Sequence, residues 1–519
     1  MRKWRRRVKR GALMLLWTAG PILSLGADQA QWGQAWSRNM VSSETGLVTA
    51  FDPRAGRNVK WSVPLGTSTY STPVVARGRV LIGTNNGNPR DPRHRGDRGV
   101  LLCLDEGDGR LHWQLVVPKL PHDPYLDCPG VGITSTATVE DDRVYIVSNR
   151  GEVVCLDLHG LANGNDGPFR DEARHAAREG EPPIAPGKAD ADILWVFDVP
   201  RELGTHPHDS SPMSVLLHGP HLYVSTPNGV NHTHRHRPAP EAPGLIVLDK
   251  LTGRLLACDT TGVGARIFHS TFSSPALGMV EGRPLVFSGG ADGVVYAFEA
   301  LGNPGVREAD FTVRAGTLRG TTVRALTTVW SFDCDPAAPK TNISQYQGNR
   351  DESPSSIVGM PVFAASSVFV AVGGDPWHGK REAWLKRIDA GGRGDVTARV
   401  EVWSHALERH SITTPSVRDG LVFIADFGRH VRCVDARSGR LLWTHDTGNE
   451  VWASTLVADG KVYVGARNGN FWVLAANREK QVLHSAKFNE PIHASPVAAN
   501  GVLYLATMSR LYALAPAQR

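Results

Sequence analysis

Histidines standing in front of apolar, strand-like segments are the residues of this chain best suited to chemistry. His208-Asp209, His269, Arg409-His410 and His493 each precede such a segment, as do Tyr70, Asp127, Arg350-Asp351-Glu352 and Trp452. Neutral imidazoles bind divalent metals and protonated ones hold anions. The unperturbed group titrates at about pH 6.5, so both uses are open near neutrality. Asp209 and Glu352 add carboxylates, and Trp452 adds an aromatic face for a small molecule. A second group, His232, His234 and His236 in Asn231-His-Thr-His-Arg-His-Arg237, alternates; an extended chain would point all three rings to one side, as a metal site needs. The flanking Arg235, Arg237, Pro238 and Pro240 instead favour an exposed loop. Asn163 to Glu172 is rich in oxygen ligands but lacks EF-hand spacing, and it reads as a solvated turn.

The segments behind these residues are copies of one unit: a small-residue or proline start, an apolar strand, a tight turn and a second strand rich in Val, Tyr and Ile. The starts are Ser71-Thr-Pro73, Ser135-Thr-Ala137, Ser211-Pro212, Ser274-Pro275, Met360-Pro361, Thr414-Pro415, Ser454-Thr455 and Ser495-Pro496. Asp419-Gly420, Asp459-Gly460 and Asn500-Gly501 supply the positive φ of two-residue hairpin turns. A third strand ends near an Asp, and a fourth follows a Gly turn and often carries Trp; its slots hold Trp61, Trp113, Trp195, Ala257, Trp330, Trp403, Trp443 and His484. Eight four-stranded units of about 40 to 50 residues predict an all-β, eight-bladed β-propeller of antiparallel blades. Trp61 precedes the first start, and only three strands follow the last. The N-terminal strand is therefore expected to complete the last blade, which removes the open sheet edges. Strand order then places the loops before the first strand, and those between the second and third, on one face, termed the top. The loops of blades one (Asn85 to His94), three (the His-rich loop) and five (Gly374 to Arg381) join the histidines there.

The run Asp-x-x-Thr/Ser-Gly-x-x-x-Trp, as in Asp435 to Trp443, resembles the tryptophan-docking motif of the quinoprotein alcohol dehydrogenase-like propellers. The resemblance extends from about Asp52 to Leu514 and implies a PQQ-like repeat in which each Trp packs between blades. It brings two functional expectations: an oxidoreductase holding pyrroloquinoline quinone (PQQ) with calcium and oxidising an alcohol or sugar, or an envelope assembly scaffold. PQQ dehydrogenases of this class carry a disulfide between adjacent cysteines. Cys103, Cys128, Cys155, Cys258, Cys334 and Cys433 are never adjacent, and no calcium ligand or catalytic Asp of the family falls on a matching motif. Cys103, Cys155 and Cys433 recur in one register, where small buried thiols are expected rather than pairs, although an exported chain could bridge some of the six.

Residues 1–26 have the three parts of a secretory signal: a basic start, the apolar stretch Gly11 to Leu25, and small residues at the exit. Export to the periplasm or the exterior is the expectation. Residues 27–47 form a lead-in and 48–519 the propeller. The net charge of +6 is exceeded by Arg2, Lys3, Arg5, Arg6, Arg7, Lys9 and Arg10 together, so the body offers no electrostatic case for nucleic acid. The expected function is binding of a small ligand or envelope protein at the top of the channel, by His208, Asp209, His269, Glu352, His410, Trp452 and His493. His232, His234 and His236 are the metal candidates.

Overall fold

Alternating strands joined by Gly-containing hairpin turns build eight antiparallel blades in a computed structural model that describes residues 27–121 and 123–517. Blade one comprises Val74–Ala76, Arg79–Asn85, Arg98–Asp105 and Leu111–Pro118. The last blade contains Val497–Ala499, Val502–Ala506 and Arg510–Leu514, and its fourth strand is Val59–Pro64 from the other end of the chain. That strand pairs antiparallel with Arg510–Leu514, Trp61 opposite Ala513, so the ring closes as the repeat count requires. The leader, residues 1–26, lies outside the described residues.

The repeated motif has a physical explanation in every part. Asp435 Oδ1 accepts the backbone N–H and hydroxyl of Ser438, and Asp249 does the same with Thr252, which shapes the turn after the third strand. The following glycine has a positive φ, +72° at both Gly253 and Gly439, and the previous blade's indole lies against it. A Cβ there would come within 2.5 Å of Trp195 or 2.8 Å of Trp403. The indole N–H reaches the same turn: Trp113 donates to Leu158 O (2.8 Å), Trp195 to Lys250 O (3.2 Å), Trp330 to Ala390 O (2.9 Å) and Trp403 to Ala436 O (3.0 Å). Each Trp thus ties its blade to the next, and a register shift beside the Trp slot recurs in every blade. The core lies between neighbouring sheets, as where Leu81, Leu101 and Trp113 meet Val144, Val154 and Ile193. Cys103 and Cys155 are buried beside these tryptophans, and burial raises both thiols to about 12; all six cysteines are free. Trp113→Phe keeps the aromatic packing but loses the hydrogen bond, leaving the Leu158 carbonyl unpaired. It is expected to cost about 1–3 kcal/mol, read as a shift in the urea unfolding midpoint.

The bottom insertions continue the same logic. The hairpin Asp310–Thr312 and Thr322–Ala325, from blade four, adds to the outer strand Leu255–Cys258 of blade three. Gly394–Asp395 of blade five adds likewise to Thr328–Asp333 of blade four. Outer edges are thereby covered rather than left to pair with other chains. The insertion of blade two contains one helical turn, Glu172–His175, and Asn165 and Asp166 there are taken up by Arg170.

The lead-in is part of the propeller. Residues 29–42 cross the lower end of the channel and touch the middle of the innermost strand in all eight blades. Val75, Val139, Leu277, Phe363 and Val457 donate backbone N–H groups to Gln29, Ala30, Trp36, Ser37 and Met40 respectively, at 2.7–3.0 Å. Trp36 Nε1 donates to Leu217 O, the Asn39 amide brackets Val417, and Ser42 Oγ donates to Ala498 O. Arg38, fully buried, donates to the carbonyls of Pro275 (2.9 Å), Val215 (2.6 Å), Ser214 (3.3 Å) and Trp32 (3.2 Å). The channel therefore has a floor made by the N-terminal segment.

Candidate functional site

Above that floor, the strand starts and top loops enclose a cavity of about 330 Å³. Trp32 of the plug, Tyr70, Phe272, Trp377 and Trp452 supply aromatic walls, and Asp209 and His493 the main polar side chains. Trp452 stacks on His493 (centroids 4.8 Å apart, 23° between planes) and on Phe427, while Tyr70 packs 5.0 Å from His493. Among the described residues, Trp32 Nε1, Thr134 Oγ1 and His493 Nδ1 of the lining side chains are turned into the protein and have no hydrogen-bond partner. Burial, followed by Arg467, brings His493 down to about 3 and keeps it neutral. Arg467 itself lies over the Trp452 ring and pairs with Glu450.

Behind the part of the wall formed by Asp209 and Trp377 lie the histidines of blades three to five. Nε2 of His208 lies 3.1 Å from Nε2 of His234 and 3.7 Å from Asp209 Oδ1; Nε2 of His269 lies 3.3 Å from Asp209 Oδ2. On its other side, His269 Nδ1 is 3.0 Å from the buried Asp375 carboxylate, whose second oxygen accepts the N–H groups of Trp377 and His378. Burial alone would lower His269, but Asp375 and Asp209 outweigh it and raise the imidazole to about 9. His208 and His378 are both lowered to about 4, chiefly by burial, and are neutral. Trp377 joins wall and cavity, with its ring 5.6 Å from His269 and 6.1 Å from Trp452.

The expected residues divide as follows. His208, Asp209 and His269 converge, and of these Asp209 lines the cavity together with Trp452 and His493. His410 does not join them: its Nδ1 donates to Gly374 O at 2.8 Å, bracing the loop that carries Asp375. Glu352 is exposed, its N–H held by Asn349, and the neighbouring Arg350 clamps the carbonyls of Pro376, Trp377 and Gly379. Asp127 is buried in an ion pair with Lys119. In the His-rich loop the three rings do not share a side. The chain turns at His234 (φ 57°), which sends that ring into the cluster and leaves His232 and His236 exposed. Asp375, His378, Trp32 and Phe272 were not singled out by sequence, although the position of the 374–381 loop between second and third strands did put it on the top face. A separate acid and histidine group, Asp91, His94 and Asp190, already holds Arg93.

These features define an eight-bladed PQQ-like β-propeller with a floored channel and a polar, aromatic mouth. The family profile described as outer membrane protein assembly factor BamB matches residues 4–166, 314–454 and 381–518, more than half of the chain, and the chain belongs to this PQQ-like propeller family. It is 32% identical over 120 residues to the quinohemoprotein alcohol dehydrogenase of Comamonas testosteroni, covering 21% of this chain and 17% of that protein. It is 29% identical over 151 residues to the 1-butanol dehydrogenase (cytochrome c) of Thauera butanivorans, covering 24% and 21%. The matched stretches thus span about a fifth of those relatives. Among solved structures, the Comamonas enzyme superposes with a TM-score of 0.58 at 10% identity over 95% of this chain and 81% of that one. BamB from Moraxella catarrhalis gives 0.50 at 14% identity, over 88% and 97%. At such identities the superpositions show the fold alone.

PQQ is a planar tricarboxylate. The aromatic walls suit a planar ring system, but the charge does not fit: among the described residues no Lys or Arg lines the cavity, and the carboxylate of Asp209 faces it. No helix among the described residues is long and apolar enough to cross a membrane.

Proposed function

We propose that this is an exported propeller that binds a small, uncharged or cationic, ring-bearing molecule in the channel mouth. The observation that carries the reading is the floored cavity with aromatic walls and one carboxylate. Aromatic faces supply most of the contact area, and the few polar groups fix orientation. The signal-like leader supports a periplasmic or secreted location, where such a binder meets solutes directly. Oxidation of an alcohol or sugar with PQQ and calcium is the second reading, favoured by the matched dehydrogenase stretches and opposed by the cavity's charge. A scaffold role in envelope assembly rests on the family description alone.

The test is a thermal-shift screen of the full-length mature protein against neutral and cationic aromatic compounds, with PQQ plus calcium as a separate arm. A true ligand at 100 times its Kd stabilises by about 2.7 kcal/mol. Trp452→Ala should remove that gain. If PQQ with calcium instead gives a bound-cofactor spectrum and dye-linked alcohol oxidation, the oxidoreductase reading replaces this one.

A further inference from the structure

The histidine cluster has the composition and placement of a metal site that the family resemblance does not supply. Among the described residues His208, His234 and His269 each offer a nitrogen, all within 4.8 Å of one another. The 3.1 Å between Nε2 of His208 and Nε2 of His234 is close to the roughly 3.3 Å that separates two ligands on a tetrahedral ion with bonds of about 2.0–2.1 Å. Asp209 turns one oxygen to His208 and the other to His269, so it braces two of the imidazoles from the cavity side. His269 shows the outer arrangement typical of a ligating histidine: its far nitrogen meets a buried carboxylate, Asp375, which fixes the ring and aims Nε2 inward, where the ion would take the place of the Nε2 proton. Asp375 is itself held by two backbone N–H groups, and its loop by His410 and Arg350. The ligands come from three loops of two adjacent blades and are braced by a third blade, so their spacing is set by the ring and not by one flexible segment.

We propose that Nε2 of His208, His234 and His269 bind one divalent transition-metal ion, with Zn²⁺ the best match and a solvent molecule as the fourth ligand. Three imidazoles form the nitrogen-rich borderline set that suits Zn²⁺, and they do not resemble the oxygen cage that calcium requires. The ion would tie blade three to blade four beside the channel mouth. Metal uptake does not depend on the organic ligand, so the two readings fail separately.

The experiment uses untagged full-length mature protein freed of metal by a chelator and titrated with Co²⁺, then Zn²⁺. One Co²⁺ per chain should bind with the intense visible bands of four-coordination and be displaced by one equivalent of Zn²⁺. His208→Gln and His269→Gln should each weaken binding by at least about 100-fold. Asp375→Asn, acting only through His269, should weaken it about 10–100-fold without changing the stoichiometry. His236→Gln, in the exposed part of the same loop, should bind as the parent does. Absence of the Co²⁺ bands, or undiminished binding by His269→Gln, overturns the proposal. Should the variants fold poorly, X-ray absorption at the zinc edge of the parent protein decides: three imidazoles support the site, and two or fewer overturn it.

Discussion

Deletion of residues 27–64 is expected to abolish cooperative folding. The segment supplies the floor that touches the innermost strand of all eight blades, and the strand Val59–Pro64 that closes the last one. Its loss leaves the outer edge of Arg510–Leu514 unpaired and uncovers the face of blade one on which Trp61 docks through its bond to Glu106 O. It also removes Trp61, Val63 and the residues Leu47, Val48 and Phe51, which pack against blades seven and eight, from the buried clusters. Burying one large apolar side chain is worth about 1.5–3 kcal/mol, so five of them account for about 7.5–15 kcal/mol, as much as the 5–15 kcal/mol by which such domains are stable. Circular dichroism melting and gel filtration check this: the truncated chain should lack a sharp transition and elute as aggregate. Deleting 27–47 alone, which spares the closing strand, should leave a folded protein of lowered midpoint. A 27–64 deletion that melts like the parent would mean that ring closure contributes little.

Arg38→Ala is expected to cost about 3–5 kcal/mol, the largest effect of any single substitution in the plug. Arg38 is buried to the last atom with no carboxylate near it, and its charge is solvated by main-chain carbonyls of blades three and four. Burial lowers the guanidinium to about 9, so it remains charged at neutral pH. Truncation opens a void and leaves the Pro275 carbonyl without its donor, while Val215 O keeps only the Thr138 hydroxyl, and a buried acceptor without a donor costs about 1–3 kcal/mol. Arg38→Met refills most of the volume without restoring a donor and should recover only the packing part. Urea unfolding of the three proteins separates the contributions. If Arg38→Ala and Arg38→Met unfold at the parent's midpoint, the plug is held by its backbone bonds alone.

The sequence by itself determined the ring. Strand alternation, Asp-Gly and Asn-Gly turns and the Asp-to-Trp motif are local signals, readable because each blade solves the same packing problem with neighbouring residues. Counting them also foretold that Trp61 must close the last blade, and that His208, Asp209 and His269 would share a face. Only the tertiary structure decided which histidines meet. His232, His234 and His236 are equivalent by spacing, yet a left-handed turn at His234 admits one ring and leaves two in solvent. His410 occupies the same start position as His269 but donates to Gly374 O, because the blade-five loop lies across its path. Asp375 and His378 enter from that loop, about a hundred residues beyond His269 in the chain. The plug was equally silent: it contacts eight blades with one or two residues each, mostly through main-chain atoms that leave no pattern in side-chain type. Periodic structure is encoded locally and repeats, whereas convergence of irregular loops depends on the ring that brings their ends together, and no single segment carries that information.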